Sequence, residues 1–299
     1  MYTKLLIIFF MRPLVIGATG QLGNEFVRYF NNKGITPICT TSSGRSNFYN
    51  LDITDLRSVL EFINETKPTV VINCSAYNLV DKAEEDWQTA FSVNGLGVRN
   101  LAIACQEHKI PLVHYSTDYV FDGTKKEPYT IADKENPLSK YGQSKILGEQ
   151  FLKSLHNRYI LIRVSWVFGK SEYSTNFIKK FLSWAEKGEV RVSIDEISAP
   201  TYTKDIVNVT IKLLETGAFG FYHLSNEGEC SRFEYAKFIA DTLKLKVKLY
   251  EAHQEDFNLP ARRPKYSKLS NFGIYQTIGF EVMHWKEAVL EYLKEEGML

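Results

Sequence analysis

Leu14-Val15-Ile16-Gly17-Ala18-Thr19-Gly20-Gln21-Leu22-Gly23 passes from an apolar run into a glycine-punctuated turn, and Gln21 to Asn31 continues as a helical pattern. Short β-branched runs of this kind suit a strand buried on both faces. The glycines fall as Gly-x-x-Gly-x-x-Gly, a departure from the Gly-x-Gly-x-x-Gly of the usual dinucleotide fingerprint. Their context, directly after a strand and opening a helix, is the one a phosphate-binding turn requires. Backbone without a Cβ approaches a pyrophosphate closely, and a helix N-terminus offers unpaired N–H groups and the positive end of a dipole. Gly17, Gly20, Gln21, Leu22 and Gly23 are therefore candidate cofactor contacts. A tight strand-to-helix turn without a ligand is the simpler reading of the same residues.

Outward from this turn, strand-like and helix-like stretches alternate. Further strands are expected at Thr36 to Thr40, Val70 to Ser75, Leu112 to Ser116 and Ile160 to Val164, with helices near Asp55 to Glu65, Trp87 to Glu107 and Tyr141 to Leu155. The pattern predicts an α/β fold, a doubly wound parallel sheet of the Rossmann type. After Trp166 the alternation weakens, with helices expected over Asn176 to Lys187, Lys204 to Glu215 and Arg232 to Leu243, a strand at Phe221 to Leu224, and a loop over Leu259 to Lys265. The expected division is a dinucleotide-binding domain over 11–165 with a strand returning near 219–226. A smaller, discontinuous C-terminal region over 166–218 and 227–299 would bind the substrate over the carboxyl ends of the strands.

Composition narrows the function. The 299 residues are 44% apolar and 24% charged, which suits a packed soluble core. Thirty-six basic against 35 acidic residues leave a net charge of +1, with no electrostatic footprint for a nucleic acid or a membrane surface. A small ligand is the better expectation. Cys39, Cys74, Cys105 and Cys230 form no C-x-x-C, and three of them sit in apolar runs, as in a reduced, cytoplasmic chain. The six histidines show no zinc-ligand spacing. Leu5 to Met11 is apolar but too short to span a membrane and lacks a cleavage site, so it reads as an appendage, with Met11 as an alternative start.

The second strand runs into Thr40-Thr41-Ser42-Ser43-Gly44-Arg45, where an NAD site usually places an acidic residue against the ribose 2′-hydroxyl. None is present. The hydroxyls of Ser42 and Ser43 with the cation of Arg45 suit a 2′-phosphate instead, which favours NADP(H) over NAD(H). Asp52, followed by Ile53, is placed to meet the adenine amino group, and equally to cap the next helix.

Tyr141-Gly142-Gln143-Ser144-Lys145 sets a phenol and an ammonium one helical turn apart on one face. Ser116-Thr117-Asp118-Tyr119 ends an apolar strand before that helix, and Asn94 lies in the preceding helix. Carbonyl reduction needs a hydride donor at the carbon and a proton donor at the oxygen. Tyr141 suits the proton donor, Lys145 would draw its pKa down and bind the nicotinamide ribose, and Thr117 would hold the substrate oxygen. A surface Tyr and Lys pair with a strand-end Thr is the plainer alternative.

With these residues in place, the chain resembles the extended short-chain dehydrogenases/reductases, and among them the dTDP-4-dehydrorhamnose reductases. The likeness runs over nearly the whole chain. It includes Val71 to Tyr77, Val80-Asp81-Lys82-Ala83-Glu84, Ser116 to Gly123, Asn136-Pro137-Leu138, Arg163 to Gly169, Ala199-Pro200-Thr201-Tyr202 and Pro260-Ala261-Arg262-Arg263-Pro264. The resemblance implies reduction of the C4 ketone of a nucleotide-linked 4-dehydro-L-rhamnose by NADPH or NADH, a step in dTDP-rhamnose biosynthesis. It implies cofactor contacts at Ser75, Ala76, Tyr77 and Tyr115, and substrate contacts at Thr117, Asp118, Lys82, Trp166 and Arg262. Locally, Trp166 and Tyr77 also read as core aromatics, and Asp81, Lys82 and Glu84 as a solvated helix start. Arg262 and Arg263 suit a diphosphate as a cationic pair, and equally a charged rim. Some members bind magnesium at a dimer contact through carboxylates. The adjacent Asp195 and Glu196 are too little to commit to a metal, and a homodimer stays open.

Three rivals share features. A sugar 4,6-dehydratase would carry an acidic pair after the threonine, whereas Asp118 is followed by Tyr119. A nucleotide-sugar 4-epimerase has the same glycine turn and Tyr-x-x-x-Lys. A non-catalytic regulatory subunit, like the beta subunit of methionine adenosyltransferase, has the fold but no need of a proton donor.

Overall fold

The computed structural model describes residues 11–42, 47–173 and 175–299. The first half contains β1 (Pro13–Ile16), α1 (Gln21–Asn32), β2 (Ile38–Thr41), β3 (Tyr49–Asn50), α2 (Leu56–Thr66), β4 (Val70–Asn73), α3 (Trp87–Phe91), α4 (Val98–Glu107), β5 (Leu112–Thr117), α5 (Lys140–Leu155) and β6 (Tyr159–Val164). Then come β7 (Val167–Phe168), α6 (Phe177–Ala185), β8 (Glu189–Ser193), β9 (Ile197–Ser198), β10 (Thr201–Tyr202), α7 (Thr203–Thr216) and β11 (Gly220–Leu224). The chain closes with β12 (Cys230–Ser231), α8 (Arg232–Thr242), β13 (Lys248–Ala252), α9 (Phe272–Ile278) and α10 (Trp285–Glu295).

Seven strands form one parallel sheet in the order β11-β6-β5-β4-β1-β2-β3. The chain starts in the middle at β1, winds outward to β3, then crosses back to β4 and winds the other way. This reversal between β1 and β4 opens a crevice at the carboxyl ends of the strands. Alternate strand residues face opposite layers. Val15, Ile72, Val113 and Ile162 pack against Phe26, Phe30 and Ile206 of α1 and α7. Leu14, Ile16, Val71 and Leu161 pack against Val59, Ile63, Leu101 and Leu152 of α2, α4 and α5. Burial on both sides explains why the strands read as unbroken apolar runs, each such side chain contributing about 1.5–3 kcal/mol. A third core, built around Phe168, Phe181, Tyr202, Tyr235, Trp285 and Tyr292, lies in the C-terminal half.

The expected strands and helices stand within about two residues at their ends, the usual spread for helix boundaries. One helix is corrected. Trp87 to Glu107 is interrupted by a π-helical turn, Ser92–Gly97, whose Gly95 and Gly97 sit so close to Leu147 and Ile53 that an added Cβ would lie 2.6 Å from each. β3 is the short strand expected just before Asp52, whereas the parallel pair β8 and β13 and helices α9 and α10 have no counterpart in the sequence reading. β8 pairs only with a segment distant in sequence, so it carries no local signal. Among the described residues no helix is long and apolar enough to cross a membrane.

Candidate active site

The glycine turn is built by close approach. Gly17 has φ +75°, and an added Cβ would come 2.9 Å from the Ser75 amide nitrogen. The N–H groups of Gly17 and Ala18 both donate to the Thr40 carbonyl, at 3.0 and 3.1 Å. A Cβ on Gly23 would meet the Gly17 carbonyl oxygen at 2.2 Å, so this glycine sets α1 against the strand end. Gly20 caps α1 without a side-chain hydrogen bond, leaving the first-turn N–H groups to an external acceptor. These features fit a dinucleotide pyrophosphate. Gln21 serves another purpose, since its Oε1 accepts from the Gly169 N–H at 2.9 Å and its Nε2 donates to the Thr175 carbonyl, tying the turn to the segment after β7. Leu22 is buried in the core.

At the end of β2, Ser42 is exposed, while Ser43 and Arg45 lie outside the described residues. Asp52 is exposed, and one carboxylate oxygen accepts from the Thr54 N–H and hydroxyl. It is not the helix cap. Asp55 caps α2 by accepting from the Arg57 and Ser58 amides. Ile53 is buried, and its carbonyl accepts from Asn100.

Past β4, the Ser75 N–H and hydroxyl both donate to Asn73 Oδ1, Ala76 is exposed, and Tyr77 is half-buried. Tyr77 is no core aromatic: its hydroxyl donates to Asp86 at 3.0 Å. Asn94, on the π-turn, accepts from the Tyr77 N–H and donates to the Tyr77 carbonyl and to Ser144 Oγ, each at 2.9 Å. One amide thus braces the strand exit against the helix that bears Tyr141 and Lys145.

That helix, α5, is capped by Ser139, which accepts from the Gly142 N–H. Lys145 is buried, and its Nζ donates to the Tyr115 carbonyl at 2.7 Å. Burial lowers its pKa to about 8, opposed by the charge of Glu149. Burial likewise pushes the Tyr141 phenol up to about 12, opposed by its hydrogen bond with Thr117. The expected lowering of the phenol by Lys145 is corrected: desolvation governs Tyr141, and the ammonium is turned to the backbone of β5. Thr117, buried at the end of β5, donates to Asp118 Oδ1 at 3.2 Å, and Ser267 donates to Oδ2 at 2.5 Å. Burial raises Asp118 to about 7. Tyr115 keeps its side chain mostly out of the crevice. Its ring packs on Phe26, its hydroxyl meets Thr210 at 2.8 Å inside the core, and its carbonyl accepts from Lys145.

A cleft of about 1440 Å³ adjoins this end of the sheet, lined among others by Gln21, Trp166, Phe177, Arg232 and Arg262. Thr117, Tyr141 and Lys145 are not part of its lining. Trp166 holds φ +44°, a strained conformation for a bulky residue and one that clusters at functional sites. Its ring stacks on Tyr235, and the Arg232 guanidinium lies over it at 3.5 Å. The supposed cationic pair divides: Arg262 is exposed in the cleft, whereas Arg263 bonds Asp81 at 2.6 Å and lies 3.8 Å from Glu196. Lys82 is exposed on the 3₁₀ turn Lys82–Glu84 and does not line the cleft. Asp195 and Glu196 do not converge. Asp195 meets Ser193, Gln254 and Lys265, and Glu196 meets Arg232 and Arg263. Arg232 escaped the sequence reading, although a cation in the first turn of a helix, against the dipole, is a signal for it.

A doubly wound sheet whose crevice holds this glycine turn and a Tyr-x-x-x-Lys helix defines an extended short-chain dehydrogenase/reductase. More narrowly, the chain belongs to the RmlD substrate binding domain family, whose model matches residues 11–298. It is 37% identical to the spore coat polysaccharide biosynthesis protein SpsK of Bacillus subtilis, over 96% of this chain and 98% of that protein. It is 36% identical to the dTDP-4-dehydrorhamnose reductase of Aggregatibacter actinomycetemcomitans, over 93% of this chain and 97% of that protein. Among solved structures, the Clostridium acetobutylicum dTDP-4-dehydrorhamnose reductase superposes with a TM-score of 0.91 at 38% identity, covering 96% of this chain and 100% of the other. The Bacillus anthracis dTDP-4-dehydrorhamnose reductase in complex with NADP gives 0.90 at 36% identity, covering 95% and 99%.

Proposed function

We propose that this protein is an NAD(P)H-dependent reductase that converts the C4 ketone of dTDP-4-dehydro-L-rhamnose to the alcohol of dTDP-L-rhamnose. The observation that carries the reading is the anchoring of Lys145 on the Tyr115 carbonyl at 2.7 Å, which sets Tyr141, one turn back along the same helix, against the end of β5 that bears Thr117. The similarity to dTDP-4-dehydrorhamnose reductases over nearly the full chain supports it. Residues 11–165 with the strand near 219–226 hold the cofactor, and 166–218 with 227–299 hold the sugar nucleotide.

When bound, the dihydronicotinamide supplies the hydride. Gly17, Gly20 and the N-terminus of α1 hold the pyrophosphate. Thr117 donates a hydrogen bond to the ketone oxygen, orienting it toward the phenol. With its pKa raised to about 12, Tyr141 stays protonated at neutral pH and gives its proton to the alkoxide as it forms. Lys145, anchored on the Tyr115 carbonyl, supplies positive charge to the nicotinamide ribose. Ser42 and Arg45 favour NADP(H) over NAD(H).

The test is oxidation of NADPH, and separately of NADH, against a panel of 4-ketosugar nucleotides. Reduction of dTDP-4-dehydro-L-rhamnose, faster with NADPH, is expected. Inertness toward every 4-ketosugar would sink the reading and favour a binding subunit, and cofactor retained through purification with interconversion of 4-epimers would favour an epimerase.

A further inference from the structure

Arg232 is the first residue of α8, directly after the cap Ser231, and its side chain folds into the cleft. Three constraints fix its guanidinium. Nε donates to Glu196 Oε2 at 2.8 Å, the cation lies over the Trp166 ring at 3.5 Å, and Phe177 lies 5.2 Å away. Trp166 is itself held by its stack on Tyr235. Among the described residues no acceptor is hydrogen-bonded to the two terminal amino groups of Arg232. An arginine pinned at one edge and on one face, with the rest of its donor fork unused, is organised for a ligand.

Charge indicates which part of the ligand. Arg232 is paired with Glu196 and lies within electrostatic range of Asp118 and Tyr119, the residues that follow Thr117. Its own charge is therefore already answered by a carboxylate, unlike that of Arg262, and it stands toward the Thr117 end of the site. Neutral hydroxyl oxygens are the acceptors that suit it. Arg262, by contrast, is exposed in the same cleft and makes no ion pair among the described residues, which suits a diphosphate. We infer that Arg232 is a specificity-determining residue that hydrogen-bonds the ring hydroxyls of the sugar, while Arg262 meets the diphosphate. The inference rests on the nucleotide-sugar reading above.

The experiment compares binding of dTDP-glucose, which carries no ketone, with binding of dTDP alone, by calorimetry on the full-length protein with NADPH present. In Arg232→Gln, affinity for dTDP-glucose is expected to fall about tenfold or more while affinity for dTDP and for NADPH stays within about twofold. In Arg262→Gln both nucleotides are expected to weaken together. Equal weakening of dTDP-glucose and dTDP in Arg232→Gln, or no change in either, would overturn the inference. A purely structural role for Arg232 would not separate the two ligands. If Arg232→Gln fails to fold, Arg232→Lys serves the same comparison, because it keeps the charge and loses the planar fork. Wild-type protein that shows the contrast in binding but reduces no 4-ketosugar would leave Arg232 in this role and overturn the reductase reading alone.

Discussion

The Nζ of Lys145 lies 2.7 Å from the carbonyl oxygen of Tyr115, so the ammonium is fixed by the backbone of β5. Thr117 is two residues further along the same strand, and Tyr141 one turn back along the same helix. One contact between α5 and β5 thus sets three groups at once, and its charge state depends on pH.

Lys145 has a folded pKa of about 8, lowered from 10.5 by burial. The ammonium is therefore present below about pH 8 and lost above it. Cofactor affinity, read from dihydronicotinamide fluorescence, is expected to weaken as pH rises through this value; flat affinity to pH 10 would contradict the role. The effect on stability has the opposite sign. Between about 8 and 10.5 the unfolded chain binds more protons at this site than the folded one, so this group makes stability rise with pH. Urea unfolding of Lys145→Met should lack that rise.

Removing the phenolic hydroxyl should stop the chemistry without emptying the site. Tyr141→Phe is expected to lower kcat by roughly two to four orders of magnitude while the Kd for NADPH changes little. Near-normal turnover would assign the proton to another donor.

Four residues beyond Lys145, Glu149 is buried and receives two hydrogen bonds from Arg163, at 2.9 and 2.7 Å. Arg163 also contacts Glu135 and the rings of Phe121 and Phe221. Arg163→Met leaves the buried Glu149 with Lys153, at 3.3 Å, as its remaining cation, and should cost about 3 kcal/mol in urea unfolding. The double variant Arg163→Met with Glu149→Leu should recover much of that loss. A double variant no more stable than the single one would mean that packing, not charge, dominates there.

Gly23→Ala would drive a Cβ to 2.2 Å from the Gly17 carbonyl and is expected to abolish NADPH binding by displacing α1 from the turn. Gly34→Ala is the control. Gly34 has φ +73° but nothing within 4 Å, so only backbone strain of about 1–2 kcal/mol should appear, with NADPH affinity unchanged. Equal effects of the two substitutions on affinity would refute the close-packing account.

By itself the sequence determined the doubly wound sheet, the glycine turn and the Tyr141 and Lys145 helix, because each is a local pattern: apolar runs buried on both faces, glycines where Cβ atoms have no room, a four-residue helical spacing. Tertiary structure alone decided what those side chains face. Tyr115 turns its ring into the core, Asp52 yields the helix cap to Asp55, Arg263 is taken by Asp81 and Glu196, and Arg232 comes to rest on Trp166. Such partners lie far apart along the chain, and their pairing follows from burial and charge after the layers have packed, which no local periodicity encodes.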